Sequence, residues 1–99
     1  MKKFAGLFRR YRLRAEFVHI SEFADTLAEN GYLYENSLFS HWQKGRKIPT
    51  KRPVLVTIIA IFIERGAIQS LAEANDFLDS AGHGYLTTTE QTKLSKINP

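Results

Sequence analysis

Residues Glu35 to Pro53 carry the densest chemistry of the chain: Glu-Asn-Ser-Leu-Phe-Ser-His-Trp-Gln-Lys-Gly-Arg-Lys-Ile-Pro-Thr-Lys-Arg-Pro. Leu38, Phe39 and Trp42 share one side at helical spacing, which leaves Asn36, Ser37, Ser40, His41 and Lys44 on the outer surface. Asn bonds adenine bidentately, Ser bonds several bases, and His donates to guanine or phosphate. Lys44, Arg46, Lys47, Lys51 and Arg52 follow without an intervening acid and suit phosphates. A solvated helix face gives the same polar pattern, and the cations on its flank are what favour a ligand. Trp42 reads as a core anchor more than a base-stacking platform.

Other chemistries find little support. His19, His41 and His83 show no metal-ligand spacing, and neither a nucleophile elbow nor a glycine-rich phosphate loop occurs. Asp76 and Asp79 sit three apart on a helical stretch and read as a solvated face. No enzyme activity, metal, cofactor or small-molecule ligand is expected. The chain has no cysteine, which fits a reducing, cytoplasmic location. No secretory signal is read at the N-terminus, and the apolar run Val54 to Ile63 is too short for a bilayer, so no membrane partner is expected.

The net charge of +4 is unevenly placed. Lys2, Lys3, Arg9, Arg10, Arg12 and Arg14 precede the first acid, and with the five cations after Gln43 they make eleven of the fourteen basic residues. Two basic segments of this kind point to a polyanion partner. Arg10 and Arg14 are the candidates for additional backbone contacts from the first helix.

The elements that must position these groups read as helices. Phe4, Leu7, Phe8 and Tyr11 make an apolar stripe over about 3–14. A second helix, about 21–29, has Phe23, Ala24 and Leu27 inward, Ser21 as N-cap and Asn30-Gly31 as its stop. The third spans about 36–44 and stops at Gly45. The run from Pro53 to Gly66 is rich in β-branched residues, yet Pro53 suits the first helical position and Gly66 the position past the end, so a fourth helix is expected. It is apolar nearly all round and must be central or covered. Capping boxes at Ser70–Glu73 and Thr87–Glu90 open a fifth helix, with Leu71, Ala74, Leu78 and Ala81 on one face, and a short sixth. The expectation is an all-α, five- or six-helix bundle in one domain, 1–92, with a core at about 3–66, an extension at about 70–92 and a frayed tail at 93–99.

Trp42-Gln-Lys-Gly45-Arg-Lys47-Ile-Pro49 resembles the end of the recognition helix in the Cro/C1-type (XRE) helix-turn-helix family, whose pattern is Trp-Glu-x-Gly-x-Arg-x-Pro. Phe39-Ser40 matches the pair that precedes it, and Phe23-Ala24-x-x-Leu27 is similar to Leu-Ala-x-x-Leu in the family's second helix. Leu71 to Gly82, followed by Tyr85-Leu86-Thr87, resembles an extension of some bacterial members, which can stand at the N-terminus of larger regulators. The resemblance implies a lambda-repressor-like fold, base reading by Asn36, Ser37 and His41 with Ser40 close by, and phosphate contacts from Lys44, Arg46, Lys47, Lys51 and Arg52. Two positions depart from the family. Ala24 and Trp42 lie eighteen residues apart, against about thirteen, and His19-Ile20 stands where the family has Thr-Gln.

The function expected is that of a transcriptional regulator, or the DNA-binding part of one, with double-stranded DNA as partner. Free in solution it is expected as a monomer or weak homodimer, because the fifth helix can cover the fourth. One rival is a helical adaptor that docks protein through the fourth helix or Tyr32-Leu33-Tyr34. Another is RNA binding, which needs exposed aromatics where this chain places them at core spacing.

Overall fold

Four apolar residues at helical spacing fix the first element, and every one of Phe4, Leu7, Phe8 and Tyr11 is buried. The computed structural model describes residues 3–94. It is all-helical: α1 (Phe4–Arg14), α2 (Ile20–Glu29), α3 (Asn36–Gln43), α4 (Arg52–Glu64), α5 (Leu71–Ser80) and α6 (Thr88–Lys93), with no strand among the described residues. α3 packs on α1 and α2, α5 on α1, and α4 on α2. The tail expected to fray beyond about Lys93 opens with Leu94, which is buried. From Ser95 on it lies outside the described residues, as do Met1 and Lys2.

Rings join the helices. Phe23 of α2 meets Phe8 at 5.2 Å, Phe17 at 5.7 Å, Phe39 at 5.3 Å and Phe62 at 5.8 Å. Trp42 of α3 stands edge-on to Phe4, Phe8 and Phe39. Edge-on and tilted geometry is the preferred arrangement of aromatic quadrupoles. Phe77 brings α5 onto the same cluster through Phe4, Tyr11 and Phe62. The inward face of α5 is therefore Ala74, Phe77 and Leu78, with Leu71 and Ala81 half-buried at its margins; the expected stripe missed Phe77.

The β-branched run is helical because burial outweighs local preference. Val54, Leu55, Ile58, Ile59, Ile61 and Phe62 of α4 are buried, while Val56, Ala60 and Ile63 form a half-buried outer stripe. Pro53 is the second helical residue, since Lys51 is the N-cap. The N-cap of α2 is His19, two residues before the expected Ser21. Glu22 draws the start back by accepting the His19 backbone N–H at 2.8 Å. α6 opens with the expected capping box, Thr87 N–H to Glu90 Oε1 at 2.9 Å and Glu90 N–H to Thr87 Oγ1 at 3.2 Å.

The α1–α2 link holds the least expected feature. Glu16 has φ 66, in the left-handed region, and lets the Phe17 N–H return to the Arg12 carbonyl at 3.1 Å. Phe17 is thereby turned into the core, 1% exposed. The Arg12 guanidinium covers this link by donating to the carbonyls of Phe17 and Val18, the latter at 3.0 Å, and reaches Gln43 Oε1 of α3 at 2.8 Å.

Trp42 is 3% exposed among three rings, so Trp42→Ala is expected to lower stability by about 3–5 kcal/mol in chemical denaturation. Ile48→Ala, at a half-exposed position, is expected to change it by less than about 0.5 kcal/mol.

Candidate nucleic-acid interface

α3 ends in a pattern that decides where the following cations go. The Gly45 N–H returns to the Trp42 carbonyl at 3.2 Å and the Arg46 N–H to the His41 carbonyl at 2.9 Å, with Gly45 at φ +73. A side chain at this position would be strained, which accounts for the glycine. The chain then folds back alongside α3 rather than continuing away from it. Pro49 is buried, and between α3, residues 47–51 and the first turn of α4 lies a shallow cleft of about 190 Å³. Tyr34, Leu38, Trp42, Ile48, Pro49 and Val54 make its apolar lining, and Lys47 and Lys51 its basic part.

The candidate base-reading residues fall into two classes. Asn36 and Ser37, at the N-terminal end of α3, are exposed. Ser40 and His41 are half-buried, and His41 Nδ1 is buried without a hydrogen-bond partner among the described residues. The Nε2 edge is the one left to His41 for meeting a ligand. Lys44, Arg46, Lys47 and Lys51 are all exposed and have no ion-pair partner among the described residues.

The remaining cations divide differently from their sequence clusters. Arg12 is 6% exposed, and burial, followed by the charge of Arg9, lowers its pKa. Its bonds to carbonyls and Gln43 make it a structural cation. Arg14 pairs with Glu73 of α5 at 3.0 Å and lies over the Tyr11 ring. Arg10 is four residues before Arg14 and so shares the flank of α1 that faces α5. Arg10 and Arg14 therefore leave the candidate site. Arg9 joins it. Ala5 lies against the end of α3, 4.0 Å from where a Gly45 side chain would begin, and Arg12 reaches Gln43. Arg9 sits between these two on the same flank and is exposed. Sequence alone could not select it, since nothing in the α1 pattern says which flank meets α3.

Arg52 also leaves the site. It donates through Nε to Glu90 Oε2 and through a terminal nitrogen to Glu90 Oε1, both at 2.8 Å, and also to the carbonyls of Gly84 at 3.0 Å and Tyr85 at 2.9 Å. A planar guanidinium saturated by one carboxylate and two carbonyls has little left for a phosphate. It fastens the α5–α6 link to the start of α4. The Leu86 N–H is held from the other side by Asn75 Oδ1 at 2.8 Å.

The aromatics are committed to the core: of the large apolar and aromatic side chains exposed among the described residues, Tyr85 is the one with a ring. Those residues hold no group of three or more His, Cys, Asp or Glu side chains able to bind a metal ion, and no helix long and apolar enough to cross a membrane. Comparison with protein-family models, curated proteins and solved structures finds no match for this chain.

The hydrogen bonds from Arg52 hold the Glu90 carboxyl at about 2, well below its usual 4.5. A depressed carboxylate contributes stability that is complete above the unfolded value and is lost as pH falls through the folded one. Thermal melts between pH 4.5 and 2 are expected to show a steeper loss of stability for the parent than for Glu90→Gln. Equal slopes would mean that the pair contributes nothing.

Proposed function

We propose that this chain is a sequence-specific, double-stranded DNA-binding domain of the helix-turn-helix kind, acting as a transcriptional regulator or as the DNA-binding part of one. α3 enters the major groove with Asn36 and Ser37 foremost and His41 and Ser40 behind them. Arg9, Lys44, Arg46, Lys47 and Lys51 hold phosphates and fix the register. The observation that carries this reading is the one-sided layout of α3. Its outer face is small and polar, its inner face is clamped by rings, and four exposed cations lie at its C-terminal end and on the folded-back segment that follows. The resemblance of Trp42 to Pro49 to the XRE pattern adds support, and the six residues between α2 and α3 depart from that family's tight turn.

A module this small buries about 600–1,000 Å² on DNA, so tight binding calls for two copies or a longer parent chain. Two copies would occupy half-sites about 34–36 Å apart, or a multiple of that spacing. The adaptor reading rests on a different observation, the half-buried outer stripe of Val56, Ala60 and Ile63 on α4. The two readings separate by salt, because apolar docking does not release counterions.

Selection from a random duplex pool is expected to recover a defined site. The logarithm of affinity should fall against the logarithm of salt with a slope of about −4.5, which is about −0.9 for each phosphate neutralised by the five cations on duplex DNA. Asn36→Ala and Ser37→Ala are expected to relax base preference by about 1–3 kcal/mol each, while Lys47→Ala weakens all duplexes alike and reduces the slope by about one. Arg52→Ala is expected to leave that slope unchanged. A selection that enriches nothing, together with salt-independent binding, would sink the reading.

A further inference from the structure

Leu33 is 86% exposed, more than any other large apolar side chain among the described residues. It is also firmly placed. Tyr32 and Tyr34 on either side are half-buried and packed against the core, and the Tyr34 ring stands edge-on to Phe39 at 6.3 Å. The Tyr32 N–H is tied to the Leu27 carbonyl at 3.1 Å. Burial alternates residue by residue from Tyr32 to Glu35, so anchoring the two tyrosines holds Leu33 outward. The link runs beside the basic segment, for Tyr34 shares a cleft with Lys47 and Lys51. Asn36, which opens α3, is three residues on, a reach of at most about 10 Å along the chain.

An outward leucine beside α3 gains nothing from the fold. Leucine has no hydrogen-bonding group, so at a base edge it can recognise one feature, the 5-methyl group of a pyrimidine in the major groove. We propose that Leu33 is a specificity-determining residue that reads the 5-methyl group of thymine, next to the bases read by Asn36 and Ser37. This inference rests on the reading of α3 as the groove helix and extends it. The lengthened turn is then the device that carries an apolar side chain to the groove.

The test uses the duplex recovered by selection, with each thymine within one helical turn of the α3 contacts replaced singly by uracil. Uracil deletes the methyl and keeps the hydrogen-bond pattern. One replacement is expected to weaken the parent protein about three- to tenfold, the scale of one apolar group removed from water. Leu33→Ala is expected to bind the thymine duplex correspondingly more weakly and to be indifferent to that replacement. Leu33→Met should retain the discrimination. The comparison is a double-mutant cycle, so a change of duplex shape caused by uracil cancels out. At 86% exposure the variant should fold as the parent does, and an unchanged melting temperature checks this. If a site is selected and depends on Asn36 and Ser37, yet Leu33→Ala keeps the parent's uracil sensitivity or the parent has none, the inference is overturned while the functional reading stands. Leu33 would then be left to a protein partner. If no duplex is selected, both fall.

Discussion

Phe23 sits where four rings converge from four parts of the chain: Phe8 of α1, Phe17 of the α1–α2 link, Phe39 of α3 and Phe62 of α4. All five are at most 1% exposed. Such an interior is close-packed, so none of the four contributing segments can shift without opening a void or forcing a rotamer. α3 has only eight residues and would not hold its shape alone. Its rigidity is borrowed from this cluster through Phe39 and Trp42, and whatever its outer face does depends on that loan.

The cations show how a basic chain is divided between folding and binding. Arg12 is buried and serves as a cross-brace, with three acceptors drawn from the α1–α2 link and α3. These acceptors are neutral, so its charge is solvated by dipoles rather than cancelled; its pKa falls because burial, and then the charge of Arg9, disfavour the charged form. Arg52 is used in folding too, by binding Glu90, whose carboxylate also caps α6. One acidic side chain thus serves two structures. The exposed lysines of the 44–51 segment were spared such duties, and their short distance from α3 follows from the reversal at Gly45.

The α2–α3 turn links these themes. Its six residues are not slack, because the two tyrosines are bound into the core and the N-terminal half of the turn is tied back to α2. A longer turn with internal anchors can set the attitude of α3 as firmly as a short one, and it adds an outward side chain that a short turn lacks.

Much of this was legible in sequence. Periodicity and capping signals gave five or six helices with nearly correct bounds, because amphipathic spacing and capping residues are local and each helix obeys them independently. It also separated the inward Phe39 and Trp42 from the outward Asn36 and Ser37, since a helix of known phase has only one apolar side. Periodicity did not reveal which cations were free. Arg12, Arg14 and Arg52 resemble Arg9 and Lys47 in the chain, and differ only by the acceptors that tertiary packing brought to them: carbonyls of the link and Gln43 for Arg12, Glu73 for Arg14, Glu90 for Arg52. Those partners lie up to 59 residues away, beyond the range of any local pattern. The left-handed Glu16 was hidden for a related reason, since it goes with the burial of Phe17 and not with its own preference. Sequence determined the helices and the phase of each face; tertiary structure decided which charges were consumed in holding those helices together, because a charge is committed only when folding delivers its partner.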